Sequence, residues 1–125
     1  MGLLDGLMGH ASKISTDEVA TEFAPALAAD ERVEHAYRLI RDLFVFTDRR
    51  LILIDKQGMT GSKVELMSIP YRSIVRFSVE AAGHLDLDAE LSLWLAGTPE
   101  PLKRTFSRNL SIYEVQAVLA SYLGR

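Results

Sequence analysis

The sequence contains no cysteine, its net charge is small, and its uninterrupted apolar stretches are short. A chain without cysteine has no disulfide framework, no thiolate nucleophile and no zinc-thiolate site. No segment reaches the roughly eighteen consecutive apolar residues of a membrane-spanning helix, and no Lys or Arg precedes the first apolar residues as it does in a secretory signal. A net charge of −3 disfavours a general nucleic-acid-binding role. We therefore expect a cytoplasmic protein that binds no nucleic acid.

The chain has enough apolar material for one folded domain. Of its 125 residues, 48% are hydrophobic and 25% are charged, which is typical of a globular domain and excludes a disordered chain. The charges alternate in blocks: the net charge is −5 in residues 1–31, +4 in 32–76, −5 in 77–102 and +3 in 103–125. Such alternation predicts attraction between distant segments, either within one fold or between copies of it.

Residues 1–30 are predicted to form an N-terminal helical segment ahead of a main domain at 31–125. Ser15 and Glu18 stand at the two positions of a capping box, which predicts that a helix begins there and runs over 15–28. Pro25 lacks a backbone donor, so this helix is expected to kink or to restart with the proline in a first turn.

From residue 33 to 107 the apolar pattern has a period of two, which is typical of β-strands. The clearest alternation is at residues 87–95, where leucine and alanine face one side and the acids Asp86, Asp88 and Glu90 face the other. A second capping box, at Ser111 and Glu114, predicts a closing helix. The predicted strands are 33–40, 43–48, 50–56, 63–71, 73–80, 86–96 and 101–107.

Two of these strands, at 43–46 and 51–54, are apolar on both sides, so both of their faces should be covered. Two explanations are open: helix 15–28 covers the second face, or a second copy of the chain does. A second copy agrees with the alternating charge blocks, because complementary surfaces suit a head-to-tail ring. The candidate oligomer contacts are Phe44, Phe46, Ile52, Ile54, Asp86, Asp88 and Glu90.

No combination of nucleophile, base and oxyanion donor stands out in the sequence, so an enzyme is not expected, and neither is a cofactor. The acids at 86–90 are better interpreted as a charged strand face than as a metal site. A calcium-binding loop has glycine at its sixth position, whereas the corresponding residue here is Leu91. The basic residues of 32–76 are either a solvated surface or an anion-binding patch. The candidate anion, lipid or partner patch is Arg38, Arg41, Arg49, Arg50 and Lys56.

Three segments resemble the bacterial pleckstrin-homology (PH) domain family. They are residues 41–58, which contain Leu-Phe-Val-Phe-Thr-Asp-Arg-Arg-Leu-Ile-Leu-Ile, the Ser-Ile-Pro-Tyr of 68–71, and residues 80–91 followed by Trp94. The resemblance implies a mainly β (α+β) fold: a PH-like, seven-stranded bent antiparallel barrel capped by a C-terminal α-helix, with an additional N-terminal helical segment. It also implies a non-enzymatic protein that assembles into a symmetric homo-oligomeric ring, a pentamer. The function that we expect of such a ring is to bind a protein or peptide partner at its assembled surface.

A peripheral membrane adaptor is the alternative function. It would use the basic patch together with Leu3, Leu4, Leu7 and Met8 as an interfacial helix. This N-terminal segment has no Lys or Arg before Lys13, so it would be a weak anchor. Between the first two strands only Arg38 and Arg41 stand where the eukaryotic lipid-binding relatives carry a longer basic signature, which argues against phosphoinositide binding.

Overall fold

The fold is built from seven strands and two α-helices in the part of the chain that the structure, a computed structural model, describes: residues 13–39, 42–57, 63–80, 88–107 and 110–124. The seven strands predicted from the period of two are confirmed, with ends that differ by a few residues. The elements are α1 (Thr16–Glu22), the 3-10 helix η1 (Ala24–Ala26), β1 (Val33–Arg38), β2 (Asp42–Thr47), β3 (Arg50–Gln57), β4 (Lys63–Pro70), the 3-10 helix η2 (Tyr71–Ser73), β5 (Ile74–Glu80), β6 (Ala89–Leu95), β7 (Leu102–Phe106) and α2 (Ile112–Leu123).

Both helix starts lie where the capping boxes predicted them, but only the first serine caps with its side chain. The backbone N–H of Glu18 donates to Ser15 Oγ at 3.2 Å, and Pro25 occupies the first turn of η1 as expected. Ser111 has the extended backbone of an N-cap, but its hydroxyl makes no capping bond. The Glu114 carboxylate instead accepts from Tyr37 at 3.1 Å and pairs with Lys13 at 2.9 Å. The side-chain bonds of the predicted second capping box are therefore wrong: the backbone N–H of Glu114 donates to the Ser111 carbonyl at 3.1 Å, and the glutamate carboxylate is held by a tertiary contact.

The strands form two antiparallel sheets that enclose the main core. Sheet 1 has the order β1-β2-β3-β4 and sheet 2 the order β5-β6-β7. The alternation of β6 is confirmed, since Leu91 and Leu93 are each 1% exposed and face sheet 1. The apolar stripe of α2 closes this core with Val115 and Leu119, both 0% exposed. This is the architecture expected of a PH-like barrel capped by a C-terminal helix.

The outer face of sheet 1 is covered by the N-terminal segment of the same chain. Val19 of α1 forms a second cluster with Leu43, Val45, Ile52 and Ile54, and Phe23 and Leu27 pack against it. Of the two explanations for the doubly apolar strands, the fold adopts burial within one chain. The covering segment is α1 followed by η1, not one helix over 15–28 as predicted, because the chain restarts at Pro25.

This arrangement corrects the expected oligomer contacts on β2 and β3. Phe44 and Phe46 are 0% exposed in the main core, and Ile52 and Ile54 are 2% and 1% exposed beneath the N-terminal segment. A second copy cannot reach these four side chains while the two sheets and α1 stay in place. The reason is that one chain of this length already supplies a helix for each apolar face.

Candidate functional site

The turn between β2 and β3 is held by the hydroxyl of Thr47, which is 0% exposed. The backbone N–H groups of Arg49 and Arg50 both donate to Thr47 Oγ1 at 3.0 Å. The Tyr71 hydroxyl lies 2.6 Å from the carbonyl oxygen of Thr47 and 2.8 Å from the carbonyl oxygen of Arg50. Burial raises the pKa of this tyrosine. The hydroxyl groups of Thr47 and Tyr71 thus hold the backbone on both sides of the turn, and the backbone sets the direction of the Arg50 side chain.

Arg50 forms an ion pair with Glu31 that is enclosed on the carboxylate side. Its Nε and NH2 groups donate to the two carboxylate oxygens at 2.8 Å each, which is the two-point geometry of a strong pair. The carboxylate also accepts from Thr47 Oγ1 at 2.7 Å and from the backbone N–H of Ala28 at 2.8 Å. The side chain of Glu31 is 0% exposed and that of Arg50 is 24% exposed. The bond from Arg50 holds the pKa of Glu31 at about 2, well below its ordinary value.

The same arginine joins the N-terminal segment to the barrel. Its NH2 group donates to the carbonyl of Ala26 in η1 at 2.8 Å, and its NH1 group donates to Ser68 Oγ on β4 at 2.6 Å. Three parts of the chain therefore meet at one guanidinium: η1, the residues that follow it, and the edge of sheet 1.

A groove of about 490 Å³ opens above this ion pair on the outer side of sheet 1. Its walls are small or apolar on the N-terminal side and on β4, and its charged residues are Glu31, Arg49 and Arg50. Because Glu31 and Arg50 neutralise each other, the exposed Arg49 leaves the groove with one net positive charge. The remaining lining residues are Ala26, Leu27, Ala28, Ser68 and Pro70.

The structure divides the predicted basic patch. Arg49 and Arg50 stand at the start of β3, whereas Lys56 lies six residues further along the same strand, about 20 Å away at the rise of a β-strand. Arg38 ends β1 beside Leu43, at the same end of sheet 1 as Lys56. Lys56 pairs with Glu22 of α1 at 3.4 Å. Arg41 lies outside the described residues, so only its membership of one of these two groups remains a prediction.

The predicted acidic strand face is described only in part, because Asp86 lies outside the described residues. Asp88 is exposed, and Glu90 of β6 is half-buried directly opposite Glu80 of β5. In the described part of the chain, no group of three potential ligands is arranged to hold a metal ion. Arg76 of β5 lies over the ring of Trp94 on β6, with its guanidinium carbon 4.5 Å from the ring centroid.

Glu31 and Ser68 belong to the site but were not found by sequence reasoning. The only signal for Glu31 was an acidic residue next to the end of the predicted helix, a pattern shared by Asp30. Its partner Arg50 lies 19 residues further on, and helical or strand periodicity carries no information about a pairing over that distance.

The sequence and the fold of this chain are both similar to those of bacterial PH domain proteins. The model of the family described as "Bacterial PH domain" matches residues 2–123. An uncharacterized protein of Bacillus subtilis, YjqA, is 55% identical over 122 residues, which are 97% of this chain and 98% of that protein.

Two solved structures from Shewanella are similar over nearly the whole chain. A pleckstrin-homology domain from Shewanella amazonensis is 50% identical, with a TM-score of 0.81 over 97% of this chain and 98% of its own. A protein with a pleckstrin-homology domain from Shewanella loihica is 45% identical, with a TM-score of 0.80 over 90% of this chain and 96% of its own.

In the described part of this chain, no helix has the length and apolarity to cross a membrane.

Proposed function

Since this chain belongs to the bacterial PH domain family, we propose that it is a non-enzymatic cytoplasmic module that assembles with copies of itself into a ring and binds a polypeptide. The expected ring is a pentamer. The observation that supports a binding role is the groove above the Glu31–Arg50 pair: an open, largely apolar concavity whose floor is a rigid network of hydrogen bonds. Preformed apolar concavities with a few fixed polar groups are typical of binding sites.

Binding fits the chemistry of this groove better than catalysis does. Its two ion-paired groups, the buried Glu31 and the partly exposed Arg50, are engaged with each other, and the low pKa of Glu31 removes it as a general base near neutral pH. Arg49 attracts an anionic group on the incoming chain, and the walls accept small apolar side chains. An extended polypeptide supplies both features at once.

Light scattering on the purified chain at micromolar concentration tests this proposal. A pentamer has five times the 13.9 kDa mass of one chain. The substitution Ala28→Glu places a longer, negatively charged side chain at the groove wall and is expected to lower the measured mass. Ala29→Glu is the matched control, since Ala29 is also exposed but is not among the lining residues. A wild-type chain that stays monomeric would contradict the assembly, and equal masses for the two variants would contradict a role for the groove.

Flotation with phosphatidylserine vesicles at low salt distinguishes the alternative function, a peripheral membrane adaptor, from the one proposed. An anionic surface attracts cations that lie together, whereas Arg49 and Lys56 stand at opposite ends of β3. We expect the wild-type chain to stay unbound. Binding that is lost in Arg38→Glu combined with Lys56→Glu would favour the adaptor instead.

A further inference from the structure

Strand β4 forms an open edge of sheet 1 in the described part of the chain. The strand order places β1 and β4 at the two edges of this sheet. The β1 edge is joined by the N-terminal segment: Lys13 forms a bridge with Tyr37, and the backbone N–H of Ile14 donates to the Ala36 carbonyl at 3.3 Å. Among the described residues, β4 has backbone-to-backbone hydrogen bonds with β3 alone. One edge is therefore covered and the other is free to receive a strand.

Half of the backbone groups of β4 point away from β3. In an antiparallel pair, alternate residues direct their N–H and C=O groups to the neighbouring strand, and the residues between them direct theirs outward. Natural edges are often blocked by charged residues or by proline. In β4 the charges stand only at Lys63 and Glu65, and the proline only at the last position, Pro70. Between them, residues 66–69 present an uncharged edge with outward donors and acceptors.

The groove borders this edge. Its β4 wall consists of Ser68 and Pro70, which are both exposed. Ser68 Oγ accepts from Arg50 at 2.6 Å, and a hydroxyl that accepts one bond still has its own O–H to donate. Leu27 and two alanines form the opposite wall. A chain that runs along β4 therefore meets backbone groups at the edge of the sheet, and a hydroxyl donor and apolar surface in the groove.

Arg49 gives the groove its charge preference through its position. Arg50, the first residue of β3, lies directly opposite Pro70, the last residue of β4. Arg49 precedes Arg50 and lines the groove, so its charge lies near the end of the β4 edge. The charge of Arg50 is already neutralised by Glu31. One anionic group is therefore attracted to this end of the edge.

We propose that β4 and the groove bind an extended acidic segment of a partner protein by strand addition, which gives sheet 1 a fifth strand. The inference rests on the polypeptide binding of the proposed function and names its mode. The added strand runs antiparallel to β4, as all paired strands of both sheets do. An acidic side chain near its N-terminal end then lies opposite Arg49, and a small apolar side chain two residues further on lies beside Pro70. Main-chain hydrogen bonds supply affinity and these side chains supply specificity.

This position leaves the N-terminal wall of the groove to other contacts. The added strand occupies the β4 side, whereas Ala28, whose substitution tests self-association, lies on the N-terminal wall. Binding of the partner and self-association are therefore measured separately, the first by peptide affinity and the second by mass.

Peptide selection followed by N-methylation tests this mode of binding. The probe is a phage-displayed library of random nonapeptides selected on the full chain; enriched peptides are synthesised and their affinities measured by fluorescence anisotropy. We expect an acidic residue followed by small apolar residues. Methylation of one peptide amide at a time should weaken binding about tenfold at every second position and little at the positions between, because only alternate amides of an added strand face β4.

Charge reversal tests the role of Arg49. Arg49→Glu should weaken binding of the acidic peptide about tenfold, and exchange of the acidic peptide residue for lysine should restore binding to this variant. Arg38→Glu is the matched control, since it makes the same charge change at an exposed position on β1, at the opposite edge of sheet 1. Its affinity for the peptide should equal that of the wild type. Thermal melting of each variant verifies folding.

The outcomes separate this inference from the proposed function. Alternating N-methylation effects, with a loss in Arg49→Glu that Arg38→Glu does not share, support strand addition. Peptides that are lost in Arg49→Glu but show no alternation overturn strand addition while polypeptide binding at the groove stands. Equal losses in the two variants overturn the role of Arg49. A selection that yields no binder overturns the proposed polypeptide binding together with the inference. A peptide that dissociates the assembled chain in light scattering would assign the edge to a second copy and overturn the inference.

Discussion

Replacing Glu31 by glutamine is expected to destabilise the fold by about 3 kcal/mol at neutral pH. Each pKa unit corresponds to about 1.4 kcal/mol, and the pKa of Glu31 lies at about 2 against an ordinary value of 4.5. Loss of one partner from a buried ion pair costs roughly 3–5 kcal/mol. The lower end applies here because Arg50 is 24% exposed and keeps its bonds to Ser68 and Ala26. In a domain of this length, about 3 kcal/mol lowers the melting temperature by roughly 10 °C.

The effect of this substitution should depend on pH in a defined direction. The folded-state pKa of Glu31 is lowered, so its contribution is fully present above the ordinary pKa and is lost as the pH falls through about 5 toward 2. The difference between wild type and Glu31→Gln should therefore be largest near pH 7 and shrink steadily toward pH 3. Urea unfolding followed by the fluorescence of Trp94, the single tryptophan, measures both curves.

Two further variants make this prediction specific to the ion pair. Glu22→Gln removes the exposed partner of Lys56 and should change the free energy of unfolding by less than about 0.5 kcal/mol. Exchange of both Glu31 and Arg50 for methionine removes both charges, and it should cost less than Glu31→Gln because no charge is left unpaired. A loss below about 1 kcal/mol for Glu31→Gln at pH 7, or a loss that is the same at pH 3, would refute the reasoning.

Further predictions concern the N-caps, the second core and one turn. Ser15→Ala should destabilise by about 1 kcal/mol in urea unfolding, whereas Ser111→Ala should stay within about 0.5 kcal/mol because its hydroxyl makes no capping bond; equal losses would contradict this difference. Val19→Ala should cost about 2 kcal/mol and Val64→Ala less than about 0.5 kcal/mol, since their exposed fractions are 3% and 43%; a neutral Val19→Ala would mean that α1 does not seal sheet 1. Gly97→Ala should cost about 1 kcal/mol by thermal melting, because its φ is +81° and alanine is strained there although space is free; an unchanged melting temperature would contradict it.

The strands could be predicted from the sequence because each is specified by its own residues. In β6 the leucines at alternate positions face the core, so the pattern directly gives the buried side. The helix at Ser15 follows from a local capping pattern in the same way. The pattern at Ser111 and Glu114 was equally clear, yet Tyr37 and Lys13 take the glutamate. Local signals fail where a distant residue competes for the same group.

The candidate site could be predicted only in part. Arg49 and Arg50 were both expected to bind anions, and their neighbouring positions give no reason to separate them. In the structure Arg50 is turned toward Glu31, and Arg49 is left at the groove. This difference depends on where η1 returns to sheet 1, which no periodicity specifies.

The sequence by itself determined the order of strands and helices, the side of each strand that is buried and the presence of two apolar faces on β2 and β3, because these depend on spacings of a few residues. Only the tertiary structure decided that α1 covers the second of those faces, and that Glu31 neutralises Arg50 while Arg49 stays exposed at the groove. The physical reason is that such pairings depend on the distance between atoms in space, and the folded backbone sets that distance for residues that lie far apart in the chain.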